Sequence, residues 1–194
     1  MRILGIDPGI ERTGWGVVDS KGHDFVARDY GCIITPKGDG LPKRLVSICL
    51  ALNQILDNHQ VDVVAVEEIF FAKNAKSAID VGHARGVCLL TAGQRGLPVE
   101  EVTPLQVKSS VVGYGKATKE QVGVMVKQIL GLSRIPRPDD ICDALAIAVT
   151  AATKRSFNAR LPKQSDSGAL AASQAKPKVL RDDILLPYVK KDDL

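Results

Sequence analysis

The sequence predicts an α/β fold: one mixed central sheet, three antiparallel strands plus parallel ones, with helices on both faces. Three observations predict it. Residues 2–34 hold three strand-like segments in succession. Residues 61–67 form a largely apolar run, typical of a strand covered on both sides. Between and after these segments, apolar side chains recur at helical spacing. The order is therefore βββ, then α-β-α-β, then several helices.

Residues 2–7 read as a buried strand stopped by Pro8-Gly9, because proline cannot donate to a ladder. Residues 13–18 and 24–34 carry β-branched and aromatic side chains, with the turn cluster Asp19-Ser20-Lys21-Gly22 between them. From Pro42, the apolar positions Leu45, Ile48, Leu52, Ile55 and Leu56 mark a helix ending near Asn58-His59. A second helix is expected over 77–94 and a short strand over 99–102. Further helices are expected over 104–112 and 119–130, and a last one from about Asp139 to about Arg155. After residue 158 the composition shifts to Ala, Ser, Gln and Lys, so residues 1–158 read as the folded domain and 159–194 as a disordered tail. The more apolar Ile184-Leu185-Leu186-Pro187-Tyr188 near the end reads either as a docking peptide or as a frayed or non-native extension.

Composition narrows the function classes. A chain of 194 residues is long enough to bury a real core, and 45% hydrophobic with 25% charged residues is ordinary for a soluble protein. No apolar run reaches the roughly 18 residues of a membrane helix, and the start shows no targeting signal. Cys32, Cys49, Cys88 and Cys142 lack zinc or redox spacing, so reduced thiols in a cytoplasmic protein are expected. The net charge of +4 says little about nucleic acid. Gly115-Lys116-Ala117 fails as a phosphate loop, and Gly14-Trp15-Gly16 lacks the third glycine of a dinucleotide loop.

Four carboxylates carry the chemistry: Asp7, Glu67, Asp140 and Asp143. Asp7 and Glu67 close apolar strands, while Asp140 and Asp143 lie one helical turn apart. Alternation places Asp7 with Ile3 and Gly5, and Glu67 with Val63 and Ala65, with Glu68 on the opposite face. On the last helix, Ala144, Ile147 and Ala151 continue the buried stripe, and Asp143 sits at its edge. Hard divalent cations prefer such oxygen ligands, and a metal pair roughly 3.5–4 Å apart can drive in-line phosphoryl displacement. Each acid also has an ordinary reading. Asp139 and Asp140 follow Pro138 at a helix start, where capping explains one or both. Asp7 is suited to holding the Pro8-Gly9 turn, and Glu68 to being a solvated strand end. Taken together, the four favour metal.

Leu-Gly-Ile-Asp-Pro-Gly at 4–9, Val-Glu-Glu-Ile-Phe-Phe-Ala-Lys-Asn-Ala at 66–75 and Asp-Ile-Cys-Asp-Ala-Leu-Ala-Ile-Ala at 140–148 resemble the RuvC family of bacterial Holliday-junction resolvases. Gln-Val-Lys at 106–108 and Val-Val-Gly at 111–113 also match its pattern. The resemblance covers about residues 1–155. It implies a ribonuclease H-like fold, a homodimer, and paired symmetric nicks in four-way DNA junctions. Cleavage would use two Mg²⁺ ions, with Mn²⁺ able to substitute, and would leave ligatable 5′-phosphate and 3′-hydroxyl ends. The resemblance makes Asp7, Glu67, Asp140 and Asp143 the metal-binding quartet, choosing Glu67 over Glu68, and implies RuvA and RuvB as branch-migration partners.

The expected DNA contacts are Phe70, Lys73, Lys76, Lys108, Lys116 and Lys119. Phe70-Phe71 lies in a basic loop although aromatics are only 4% of the chain, and an aromatic can stack on an unpaired base. The resemblance puts the stacking role on Phe70 and sets Lys108 and Lys119 nearest the scissile phosphate, where a cation stabilises developing charge. Lys116 is as readily a solvated lysine as a phosphate contact, and Arg85 on the second helix stays outside the set. The competing readings are a nuclease for RNA–DNA hybrids, a sugar kinase or actin-like ATPase, and a junction-binding protein without catalysis. The ATPase reading needs a second comparable domain, for which 194 residues leave no room.

Overall fold

The computed structural model describes residues 1–22, 24–68 and 75–160, apart from the side chains of 75–77 and 160. Strands β1 (Arg2–Asp7), β2 (Arg12–Lys21) and β3 (Asp24–Ile34) form the expected antiparallel meander. Helix α1 (Leu41–Asn58) leads into β4 (Val63–Glu67), and α2 (Ala75–Gln94) leads into β5 (Val99–Val102). Helices α3 (Pro104–Val112), α4 (Lys119–Ile129) and α5 (Asp139–Arg160) complete the chain. The sheet order is β3-β2-β1-β4-β5, with β4 parallel to both β1 and β5. The mixed sheet with helices on both faces is therefore as expected.

Alternation along the strands divides the core in two. Leu4, Ile6, Val17, Val64 and Val66 face α1 and α2 and meet Ile48, Leu52, Ala84 and Cys88. Ile3, Val18, Val63 and Ala65 face the other way, under Leu145, Ala148 and Ala152 of α5. Each large aliphatic side chain buried in this way contributes about 1.5–3 kcal/mol.

Helix α5 departs from the single buried stripe read from its sequence: every residue from Ala144 to Ala152 is buried. It lies between the sheet and the pair α3 and α4, so both of its sides are covered. Glycine makes this approach possible. A Cβ on Gly5 would stand 2.1 Å from the Ala144 carbonyl oxygen, and one on Gly14 would stand 1.9 Å from that of Asp140. Glycine inside a strand marks such a backbone approach, and Gly14 finds its use here rather than in a cofactor loop. Helix α5 also runs past Arg155 to Arg160. Lys154 and Arg155 fasten that end to Glu100 of β5, at 2.5 and 3.4 Å. The tail beyond 160, like Phe70, Phe71 and Lys73, lies outside the described residues.

Candidate active site

The site is assembled by strand register. In β1 and β4, Ile6 pairs with Val66, so Asp7 and Glu67 end neighbouring parallel strands at the same edge. Both point to the α5 face, since they continue the alternation of Ile3, Val63 and Ala65. On the other side Asp7 pairs with Gly14, the glycine against which the first turn of α5 rests at Asp140. Parallel pairing, antiparallel pairing and one glycine thus bring acids far apart in sequence to one place.

Asp7, Glu67 and Asp143 line a cleft of about 300 Å³ together with Lys108, Lys119 and Ile147. Asp140 adjoins it, and its Oδ2 is buried without a hydrogen bond. Arg12 Nε stands 3.1 Å from that oxygen, forming an ion pair without the alignment of a hydrogen bond. Asp143 accepts a hydrogen bond from Lys119 Nζ at 2.9 Å. Burial, reinforced by the charges of Glu67, Asp143 and Asp140, pushes the Asp7 carboxyl up to about 7. Burial and the charge of Asp143 raise Glu67 as well. The Asp143 hydrogen bond holds Lys119 above its ordinary value. Negative charge is therefore crowded here beyond what the two cations neutralise.

This donor set suits a hard cation, offering carboxylate oxygens with at least one buried oxygen lacking a hydrogen bond. Among the described residues, no three acidic, cysteine or histidine side chains yet approach closely enough to hold one ion. Asp140 and Asp143 are instead engaged by Arg12 and Lys119. A larger hollow of about 570 Å³, lined by Arg2, Asp19 and Arg28, is electrostatically different. There the Arg2 hydrogen bond holds Asp19 down to about 2, so its charge is already matched.

The predicted residues divide accordingly. Lys108 and Lys119 line the cleft, whereas Lys116 is exposed and does not. Lys76 falls in the first turn of α2, where only the backbone is described. Glu68 is exposed, and its backbone amide donates to the Val102 carbonyl at 2.8 Å. Asp139 and Asp140 both stand in the first turn of α5, where the helix dipole favours acids, and each also pairs with an arginine, Arg137 and Arg12. Sequence reasoning missed Arg12, since nothing local links it to Asp140. It also missed what Arg85 does: its Nε donates to the Glu67 carbonyl at 3.3 Å, and its guanidinium pairs with Glu101. Two capping boxes, Thr103 with Gln106 and Thr118 with Gln121, start α3 and α4 and so set Lys108 and Lys119. Their T-x-x-Q spacing was legible in the sequence and went unread.

The model of the crossover junction endodeoxyribonuclease RuvC family matches residues 3–151. The chain belongs to the RuvC family. A RuvC of Caldicellulosiruptor saccharolyticus is 53% identical over 150 residues, covering 77% of this chain and 90% of that one. The structure of Thermus thermophilus RuvC in complex with a Holliday junction substrate superposes with a TM-score of 0.78 at 38% identity, covering 81% of this chain and 96% of that one. The yeast mitochondrial Holliday junction resolvase Ydc2 shares only the fold, at 16% identity and a TM-score of 0.58 over 82% and 83% of the two chains. RuvC proteins are metal-dependent nucleases.

Proposed function

We propose that this protein resolves four-way DNA junctions by metal-dependent phosphodiester hydrolysis, with Asp7, Glu67, Asp140 and Asp143 as the ligands of two Mg²⁺ ions. The reading rests on one observation above the rest: three of the acids share a cleft with two lysines, at an edge reached from distant parts of the chain. Divalent ions held there would supply an activated water and neutralise the departing 3′-oxygen, and Mn²⁺ would serve in place of Mg²⁺. The protein's own contribution is position and charge. Glu67 and Asp7 are fixed by strand ends, Asp140 and Asp143 by a helix pressed onto glycine. Lys119 and Lys108 stand where charge develops on the phosphate. Lys116, Lys73 and Lys76 would contact the backbone, and Phe70 would stack on a base at the opened crossover.

The Thermus thermophilus RuvC complex holds a Holliday junction, which supports the same substrate here. Two symmetric nicks call for two sites related by a dyad, hence a homodimer. Val46 and Leu50 of α1, with Ile79 and Leu90 of α2, stand exposed on the layer away from α5 and suit such pairing. RuvA and RuvB are the partners that family membership suggests. A cytoplasmic setting suits four unpaired cysteines. The test compares a mobile four-way junction with an RNA–DNA hybrid duplex, both with Mg²⁺. Paired cuts leaving 5′-phosphates on the junction are expected. Preferential cutting of the hybrid would remove the junction assignment, and no metal-dependent cutting would remove the nuclease.

A further inference from the structure

We propose that Arg12 is a placeholder cation for Asp140: it matches this carboxylate until a divalent ion arrives, and is then released to bind a phosphate of the cleaved strand. The proposal rests on the metal-site reading above and assigns a role to a residue outside that quartet.

Each acid of α5 has one basic companion. Lys119 donates a hydrogen bond to Asp143 at 2.9 Å, whereas Arg12 lies 3.1 Å from Asp140 Oδ2 without one. An arginine held firmly by a carboxylate makes one or, often, two parallel hydrogen bonds to it; Arg12 makes none to Asp140. Its contact is therefore one of charge and easily exchanged. The Arg12 side chain is half exposed, at 52%, while that of Asp140 is 22% exposed. Its backbone is anchored, being paired with Ile34 and followed by Thr13, whose hydroxyl donates to the Gly9 carbonyl at 2.7 Å. Only the side chain is free to turn. A divalent ion on Asp140 would cancel the attraction and repel the guanidinium. The released group would then stand at the rim of the cleft beside a polyanion, and guanidinium suits phosphate better than ammonium does.

The test measures Mn²⁺ binding without DNA, by the spin resonance of free Mn²⁺, and junction binding in Ca²⁺ over a salt series. Arg12→Met should bind Mn²⁺ several-fold more tightly than the wild type. Lys37→Met, which removes an exposed lysine paired with Glu11, should change it far less. In the junction assay Arg12→Met should lose affinity, and the slope of log affinity against log salt should fall by about one. Arg12→Lys should keep that slope while binding less tightly. Unchanged or weaker Mn²⁺ binding in Arg12→Met refutes the placeholder role, and an unchanged salt slope refutes the phosphate contact. Asp7→Asn separates the two levels: if it binds Mn²⁺ as the wild type does, the metal-site reading itself has failed.

Discussion

Replacing Asp7 by Asn should make the metal-free protein more stable while abolishing its catalysis. The Asp7 carboxyl sits at about 7 in the fold against an ordinary 3.8, chiefly because it is buried. The unfolded chain therefore releases this proton first as pH rises, so the folded state loses stability through the window from 3.8 to about 7 and carries the full cost above it. At 1.36 kcal/mol for each tenfold change in acidity, that cost is about 4 kcal/mol. An amide keeps the shape and loses the charge but retains some desolvation cost, so a gain of about 2–4 kcal/mol is expected, or roughly 5–15 °C in Tm for a domain of this size. The assay is thermal unfolding in EDTA at about pH 4 and about pH 8, wild type beside Asp7→Asn. The two should nearly coincide at the acid end and separate at the alkaline end, with the variant higher. Saturating Mg²⁺ should raise the wild type, by about 2.7 kcal/mol at a hundredfold excess over Kd, and leave the variant nearly unmoved. A variant no more stable than the wild type at about pH 8 in EDTA would refute the claim that crowded, buried charge is the cost of this site.

Two further substitutions probe how the site is built. Glu67→Gln should lower junction cleavage by on the order of 100-fold or more, while Glu68→Gln, at an exposed position just past the strand, should stay close to the wild type; equal losses would undo the assignment by strand face. Gly5→Val would push side-chain carbon into the backbone of α5 at Ala144 and Ala148, so a loss of about 3 kcal/mol or more is expected in urea unfolding. Gly38→Val, with open space around it, should be near neutral, and a tolerated Gly5→Val would contradict the close helix-to-sheet contact.

Much of the fold was legible because its signals are local. The break at Gly22, the mainly apolar run ending at Glu67 and the periodic apolar positions of α1 each follow from a few neighbouring residues, although β2 continues through Asp19, Ser20 and Lys21, which the sequence suggested as turn. The burial of α5 was underestimated because periodicity reports one covered face, and α3 with α4 cover the second. The acids stood out only as a set, and Glu67 and Glu68 could not be separated by spacing alone. Their difference lies in which strand face meets α5.

Residue types and order were therefore enough to establish an α/β chain with carboxylates at its strand ends and on its last helix. Alternation gave the face-mates of Asp7 and of Glu67 separately, but not that the two faces coincide. Convergence required the register of β1 with β4 and the contact of Gly14 with Asp140, both of which join residues distant in sequence. The same holds for the charges. Arg12 meets Asp140, Lys119 meets Asp143 and Arg85 meets Glu101 only because separate elements pack together. Electrostatic pairing depends on distance in space, and a sequence records distance along the chain alone.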